Sequence, residues 1–124
     1  MINPEDAPPA ALVRHVVGGI PAGRAASYGT VGRVVAAVGR PIGGARTVAW
    51  ILASLKGRDK TPWHRVVGAG GRILLPDRRG AVQASRLRGE GVRFGKAAIE
   101  LRCLIDEAEL LSLLLGRRRA RRAR

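Results

Sequence analysis

Apolar residues recur at helical spacing along this chain in several short blocks, each cut off by glycine or proline. Residues 1–9 are proline-rich and predict a frayed start. Residues 10–17 carry apolar positions on one helical face, and Gly18, Gly19 and Pro21 stop that helix. Ser27-Tyr28-Gly29-Thr30 reads as a capped start, with Ser27 or Thr30 as N-cap, for a helix that runs to Val38. Gly39 and Pro41 end it. Gly43 and Gly44 then lead into a helix over residues 45 to about 55, closing near Gly57. Two helices joined by a short glycine-containing turn make a helix-turn-helix pattern, one that plain bundles share.

After Pro62 the pattern changes. Val66-Val67, then Gly68-Ala69-Gly70-Gly71, then Ile73-Leu74 predicts a β-hairpin with a glycine turn. A hairpin after a helix-turn-helix is the layout of a winged helix. Residues 81–88 predict a basic helix broken by Gly89-Glu90-Gly91, and residues 97–115 a closing amphipathic helix stopped by Gly116. The expected fold is mainly α: a winged-helix-like helix-turn-helix domain with a small β-hairpin.

Length limits this to one domain, residues 1–116, since 124 residues cannot bury two cores. Aromatic residues are 3% of the chain, so Ala, Val, Leu and Ile must carry the core. Charge alters the picture more. Lys and Arg number 23 against 9 Asp and Glu, for a net charge of +14. Six arginines lie in residues 117–124, read here as a disordered tail that adds non-specific phosphate affinity; without them the body still carries +8. Such a body suits a polyanion, nucleic acid first and an acidic membrane surface second.

The single cysteine, Cys103, excludes an internal disulfide and a CxxC zinc site, and reads as a buried structural thiol. No metal or cofactor is expected. The N-terminus lacks a secretory pattern, and no apolar run approaches the roughly 20 residues needed to span a bilayer. The expectation is a cytoplasmic monomer, nucleoid-associated if bacterial, without membrane contact.

Pro62-Trp63-His64-Arg65-Val66-Val67 sharpens the reading. It resembles the Pro-Cys-His-Arg-Val signature of the O6-alkylguanine-DNA alkyltransferases, with tryptophan at the acceptor cysteine. That exchange marks the alkyltransferase-like proteins, the non-enzymatic branch of the family. Further matches, over about residues 10–94, are Ile20-Pro21-Ala22-Gly23, Ser27-Tyr28-Gly29, Ala45-Arg46-Thr47-Val48 and Arg86-Leu87-Arg88-Gly89-Glu90-Gly91-Val92.

The resemblance implies a DNA-binding domain whose second helix enters the minor groove. Gly44, Ala45 and Ala49 would let the backbone approach DNA closely. Arg46 matches the family's intercalating arginine, and Tyr28 the tyrosine that helps rotate a nucleotide out of the stack. Trp63 would form the floor of a pocket for the flipped base, with the main chains of Trp63 and Val66 meeting the base edge. Trp50 is placed near the DNA backbone. His64 and Glu90 match the pair that activates the missing cysteine, so no alkyl transfer is expected. At Asp77 this chain departs from the family's serine-bearing loop, and Arg78 or Arg79 is offered instead as the donor to O6.

The function so implied is a damage sensor for O6-alkylguanine in double-stranded DNA. It would flip and hold the base and direct the lesion to nucleotide excision repair proteins. Two alternatives remain at this point: a sequence-reading winged-helix transcription regulator, and a transferase acting through Cys103.

Overall fold

The structure, a computed structural model, describes residues 6–123, with side chains described as far as residue 116. Among these residues five α-helices pack around a two-stranded sheet. Helix α1 (Pro9–Val17) has proline at its first position, where a missing N–H costs nothing, and buries Leu12, Val13, Val16 and Val17. Strand β1 (Ala26–Ser27) runs directly into α2 (Tyr28–Val38), and Ser27 caps that helix by accepting from the Thr30 amide at 3.0 Å.

The turn from α2 to α3 (Ala45–Ala53) depends on glycine. Gly43 and Gly44 have φ of 110° and 81°, a region that side-chain-bearing residues rarely enter. Gly32 lies against the Gly44 backbone, where a Cβ would come within 3.3 Å. The two helices of the helix-turn-helix therefore cross closely. Val48, Ile51 and Leu52 of α3 join α1, α2, Val66, Ile105, Leu110 and Leu114 in the main core. A second cluster gathers Ala25, Val67, Leu87, Val92, Ile99 and Cys103. The thiol is thus buried, as its setting in the sequence suggested.

The mainly helical, winged-helix-like arrangement stands, with three changes of detail. First, β2 (Val66–Val67) pairs in parallel with β1, Ala26 opposite Val66 and Ser27 opposite Val67, and forms no hairpin with Ile73-Leu74. The crossover that a parallel pair needs is supplied by α2 and α3. Beyond β2 the Gly68 amide donates to the Arg72 carbonyl at 2.7 Å, and then the chain diverges because Gly71 is pressed against Ile99. Second, α4 (Asp77–Gly89) begins four residues earlier than residues 81–88 suggested. Gly80, just before the expected helix start, is a packing glycine: a Cβ there would lie 2.2 Å from the Leu75 carbonyl oxygen.

Third, the closing helix is not continuous over residues 97–115. Ile99 bridges Phe94, residues Leu101–Cys103 make a 3₁₀ turn, and only Glu107–Ala123 forms α5. The reason lies at Ala25, whose amide donates to the Cys103 carbonyl at 2.9 Å and whose carbonyl accepts from Ile105 at 2.8 Å. Those groups are buried and must be paired, so residues 104–105, just past the 3₁₀ turn, stay extended. Asp106 then caps α5 by accepting from the Glu109 amide at 2.8 Å. The α5 backbone runs on into the arginine stretch read above as a disordered tail, whose side chains lie outside the described residues. Among the described residues no helix is long and apolar enough to cross a membrane.

Candidate nucleic-acid interface

Helix α3 buries one face and offers the other. Ala45 and Arg46 in its first turn are exposed, Ala49 is half-buried, and Trp50 and Ala53 are exposed. The Arg46 guanidinium makes no ion pair or hydrogen bond among the described residues, so its donors are available to a ligand. Gly44 has empty space where a Cβ would sit. A small-residue face carrying one free arginine can lie close to a polyanion.

Beside this face is a narrow cleft of about 20 Å³ lined by Tyr28, Ala49, Leu52, Ala53, Trp63, Leu75 and Arg79. Four elements build it: the start of α2, the open face of α3, the 3₁₀ turn Trp63–Arg65, and the segment entering α4. Tyr28, expected to help rotate a nucleotide out of the stack, and Trp63, expected at the floor of a pocket, meet here. Of the two arginines offered, Arg79 lines the cleft; Arg78 is exposed and does not. The reason is the early start of α4, which turns successive side chains of its first turn about 100° apart. Burial pushes the Tyr28 phenol above its ordinary pKa of 10.0, against the pull of the Arg79 charge. Tyr28 therefore keeps its O–H at neutral pH and can donate.

Val66 does not line the cleft. Its side chain is fully buried, its amide donates to the Trp63 carbonyl, and its carbonyl accepts from Gln83 Nε2 at 2.7 Å. The Trp63 amide donates in turn to Thr61 at 2.8 Å. The main-chain groups expected to meet a base edge are thus already engaged within the protein. Gln83, wholly buried on α4, was not singled out from sequence; its amide also donates to the His64 carbonyl at 3.2 Å. It fastens the turn that carries Trp63.

Trp63 also borders a second, wider cleft of about 470 Å³. Arg14, Lys60, Arg65 and Arg86 line it, with Asp59 the one acidic side chain, paired to Arg14 at 2.8 Å. The Arg86 guanidinium carbon stands 5.4 Å from the Trp63 ring centre, a cation–π contact. Trp63 is therefore a wall between an apolar cleft and a basic one.

His64 and Glu90 do come together, with Nε2 3.2 Å from Oε2, but neither ring nitrogen of His64 makes an aligned hydrogen bond among the described residues. The main partner of Glu90 is Arg65, whose Nε donates to Oε1 at 3.0 Å and whose Nη2 donates to Oε2. Arg65 also donates to the Ile20 carbonyl at 2.9 Å. The pair inferred from the motif is thus a trio, and its third member stands next to His64 in the quoted signature. Arg65, and less so His64, hold the Glu90 carboxyl below its ordinary range, against desolvation.

A depressed carboxylate stabilises the fold above its ordinary value of 4.5, and this contribution is lost as pH falls through the lower folded value. Glu90→Gln is expected to cost about 1–3 kcal/mol at pH 7 by stranding Arg65. Melting curves at pH 7 and pH 3 should show the gap to the parent protein narrowing in acid. A gap equal at both pH values would contradict the ion-pair account.

Comparison with known proteins agrees with this fold. Atl1 of S. pombe, solved in complex with damaged DNA containing O6-carboxymethylguanine, superposes with a TM-score of 0.65 at 27% identity, covering 78% of this chain and 94% of that one. A second structure, S. pombe ATL in complex with DNA, gives 0.58 at 27% identity, over 76% and 88%. Among curated proteins none matches. The family described as 6-O-methylguanine DNA methyltransferase, DNA binding domain, matches residues 9–92, which hold α1 to α4, the Trp63 turn and the cleft between them. Since that match spans well over half of its residues, this chain belongs to that DNA-binding family.

Proposed function

We propose that the protein binds O6-alkylguanine in duplex DNA, holds the extruded base between Tyr28 and Trp63 without accepting its alkyl group, and marks the site for nucleotide excision repair. The observation that carries this is the position of Trp63. An indole lines the cleft at the place where the family signature has its acceptor cysteine. Support also comes from S. pombe Atl1, a relative bound to O6-carboxymethylguanine DNA.

Guanine O6 lies within the base stack, and a pocket reads it only after the nucleotide turns out, at a cost of a few kcal/mol. Arg46 on α3 fills the gap with a planar guanidinium, and Tyr28 presses the neighbouring phosphate. The closed cleft holds about 20 Å³, little more than a water needs, so a purine enters only when the segment over residues 75–79 swings aside. Arg79 on that segment then closes toward the base. The Trp63 face is apolar, and each alkyl CH₂ laid against it contributes about 0.8 kcal/mol that plain guanine lacks.

No alkyl transfer follows, because transfer needs a thiolate. Carbon and nitrogen of the indole are poor nucleophiles, and Cys103 is buried in the second core cluster, outside the cleft. His64 and Glu90 remain, but Glu90 is committed to Arg65.

The test pairs a titration with a mass measurement. Duplexes with and without one O6-methylguanine are expected to differ clearly in affinity, and intact mass after incubation to show no added methyl. Equal affinity for both duplexes, with a preference for some sequence, would establish a transcription regulator instead. A methyl adduct on Cys103 would overturn the non-transferase reading.

A further inference from the structure

The most exposed aromatic side chain among the described residues is outside the cleft. Trp50 on α3 is 72% exposed. It lies one helical turn beyond Arg46, and the two form a row along the open face. The adjacent row, Ala49 and Ala53, lines the cleft. Val48, Ile51 and Leu52 carry the packing of this helix, so the indole contributes nothing to the core and leaves a large apolar surface in water. Its surroundings are cationic: Arg46 before it, and the exposed Lys56 and Arg58 just past the helix end.

We propose that Trp50 is a minor-groove wedge that pries open a base step near the damaged nucleotide. This rests on the lesion-binding reading in placing α3 along the groove and Arg46 at the gap left by the damaged nucleotide. The occupant is duplex DNA, because the apolar ring is set among cations that suit phosphates on either side of a groove. Ala45, Ala49 and Ala53 on the open face are small, so the backbone can approach until the indole meets the base edges. One helical turn advances 5.4 Å, about one and a half base-pair steps of 3.4 Å. Trp50 therefore meets the duplex one to two steps from the gap that Arg46 enters. Apolar side chains driven into such a step unstack it and kink the duplex.

The cost of unstacking depends on the step. Pyrimidine–purine steps such as TA open readily, and purine–purine steps resist. The wedge thus makes affinity depend on sequence at a position where no base edge is hydrogen-bonded.

The experiment uses the full chain and O6-methylguanine duplexes that differ only in a TA or AA step, placed one or two steps to either side of the lesion. Each has a plain-guanine counterpart, and 2-aminopurine at that step reports unstacking. The protein is expected to bind the TA duplex roughly three- to tenfold more tightly and to raise the 2-aminopurine emission. Trp50→Ala should lose both effects and keep its preference for methylated over plain duplex. Trp50→Phe should retain part of each. The indole is exposed, so neither variant disturbs the fold. The proposal is overturned if Trp50→Ala keeps the step preference and the emission rise, or if the parent protein shows neither. Loss of the methylated-over-plain preference, with the step effect intact, would remove the lesion reading and leave the wedge.

Discussion

Replacing Gln83 by alanine is expected to cost the folded protein about 2–4 kcal/mol, the largest effect of any single substitution considered for stability. The side chain is fully buried, and its amide donates to both the His64 and Val66 carbonyls. Alanine removes both donors and strands buried acceptors, each worth about 1–3 kcal/mol, and leaves a cavity as well. Part of that cost is recovered where water reaches the carbonyls. Gln83→Met fills the same space and removes the donors together with Oε1, which has no hydrogen-bond partner among the described residues, so comparing the two variants separates the polar contribution from packing. Urea unfolding checks the magnitude, with an unchanged slope showing that stability alone has moved. A fall in Tm of about 10 °C should accompany it. Destabilisation of less than about 0.5 kcal/mol, the scale of an ordinary surface change, would show that α4 does not fasten the Trp63 turn.

Arg46→Ala is expected to weaken binding to O6-methylguanine duplex by about 1–3 kcal/mol, roughly five- to 150-fold, while leaving stability unchanged within about 0.5 kcal/mol. Arg46 is exposed and unpaired among the described residues, so the folded protein loses no contact with it. Arg46→Lys distinguishes two roles. A lysine keeps the charge but has no planar fork to stack in an opened duplex. If the guanidinium fills the gap left by a base, lysine restores little of the loss. If Arg46 merely touches a phosphate, Arg46→Lys binds as the parent protein does, and the flipping assignment fails.

The helices around the interface were legible for local reasons. Gly39, Pro41, Gly43 and Gly44 punctuate the chain where α2 stops and α3 begins, and Ser27 is a capping residue in front of an apolar-periodic run. Backbone freedom, caps and a 3.6-residue period act over a few positions, so a linear reading captures them. The Trp63 motif was legible in a different way, as adjacent residues that resemble a family signature.

What failed to show depended on partners distant in the chain. Val66 and Val67 announce a strand, but nothing about two valines says that the strand will pair with Ala26 and Ser27, forty residues earlier, and not with Ile73 and Leu74 nearby. Ile99, Cys103, Leu110 and Leu114 mimic a helical stripe, yet Ala25 has buried backbone groups that draw residues 104–105 out of a helix. A polar Gln83 inside a basic helix reads as surface until α4 is laid against the 64–66 main chain.

By itself, then, the sequence determined the helix-turn-helix and the basic body, both matters of composition or of neighbours a few residues apart. Tyr28, Arg46 and Trp63 were singled out by resemblance to the motifs of a known family, with a tryptophan here at its cysteine position. Only the tertiary structure decided that Arg79, not Arg78, reaches the cleft, that Arg65 is the main partner of Glu90, and that Trp50 stands in solvent beside Arg46. Those outcomes turn on helix phase and on which buried polar group finds its partner, and both are settled only when the elements pack together.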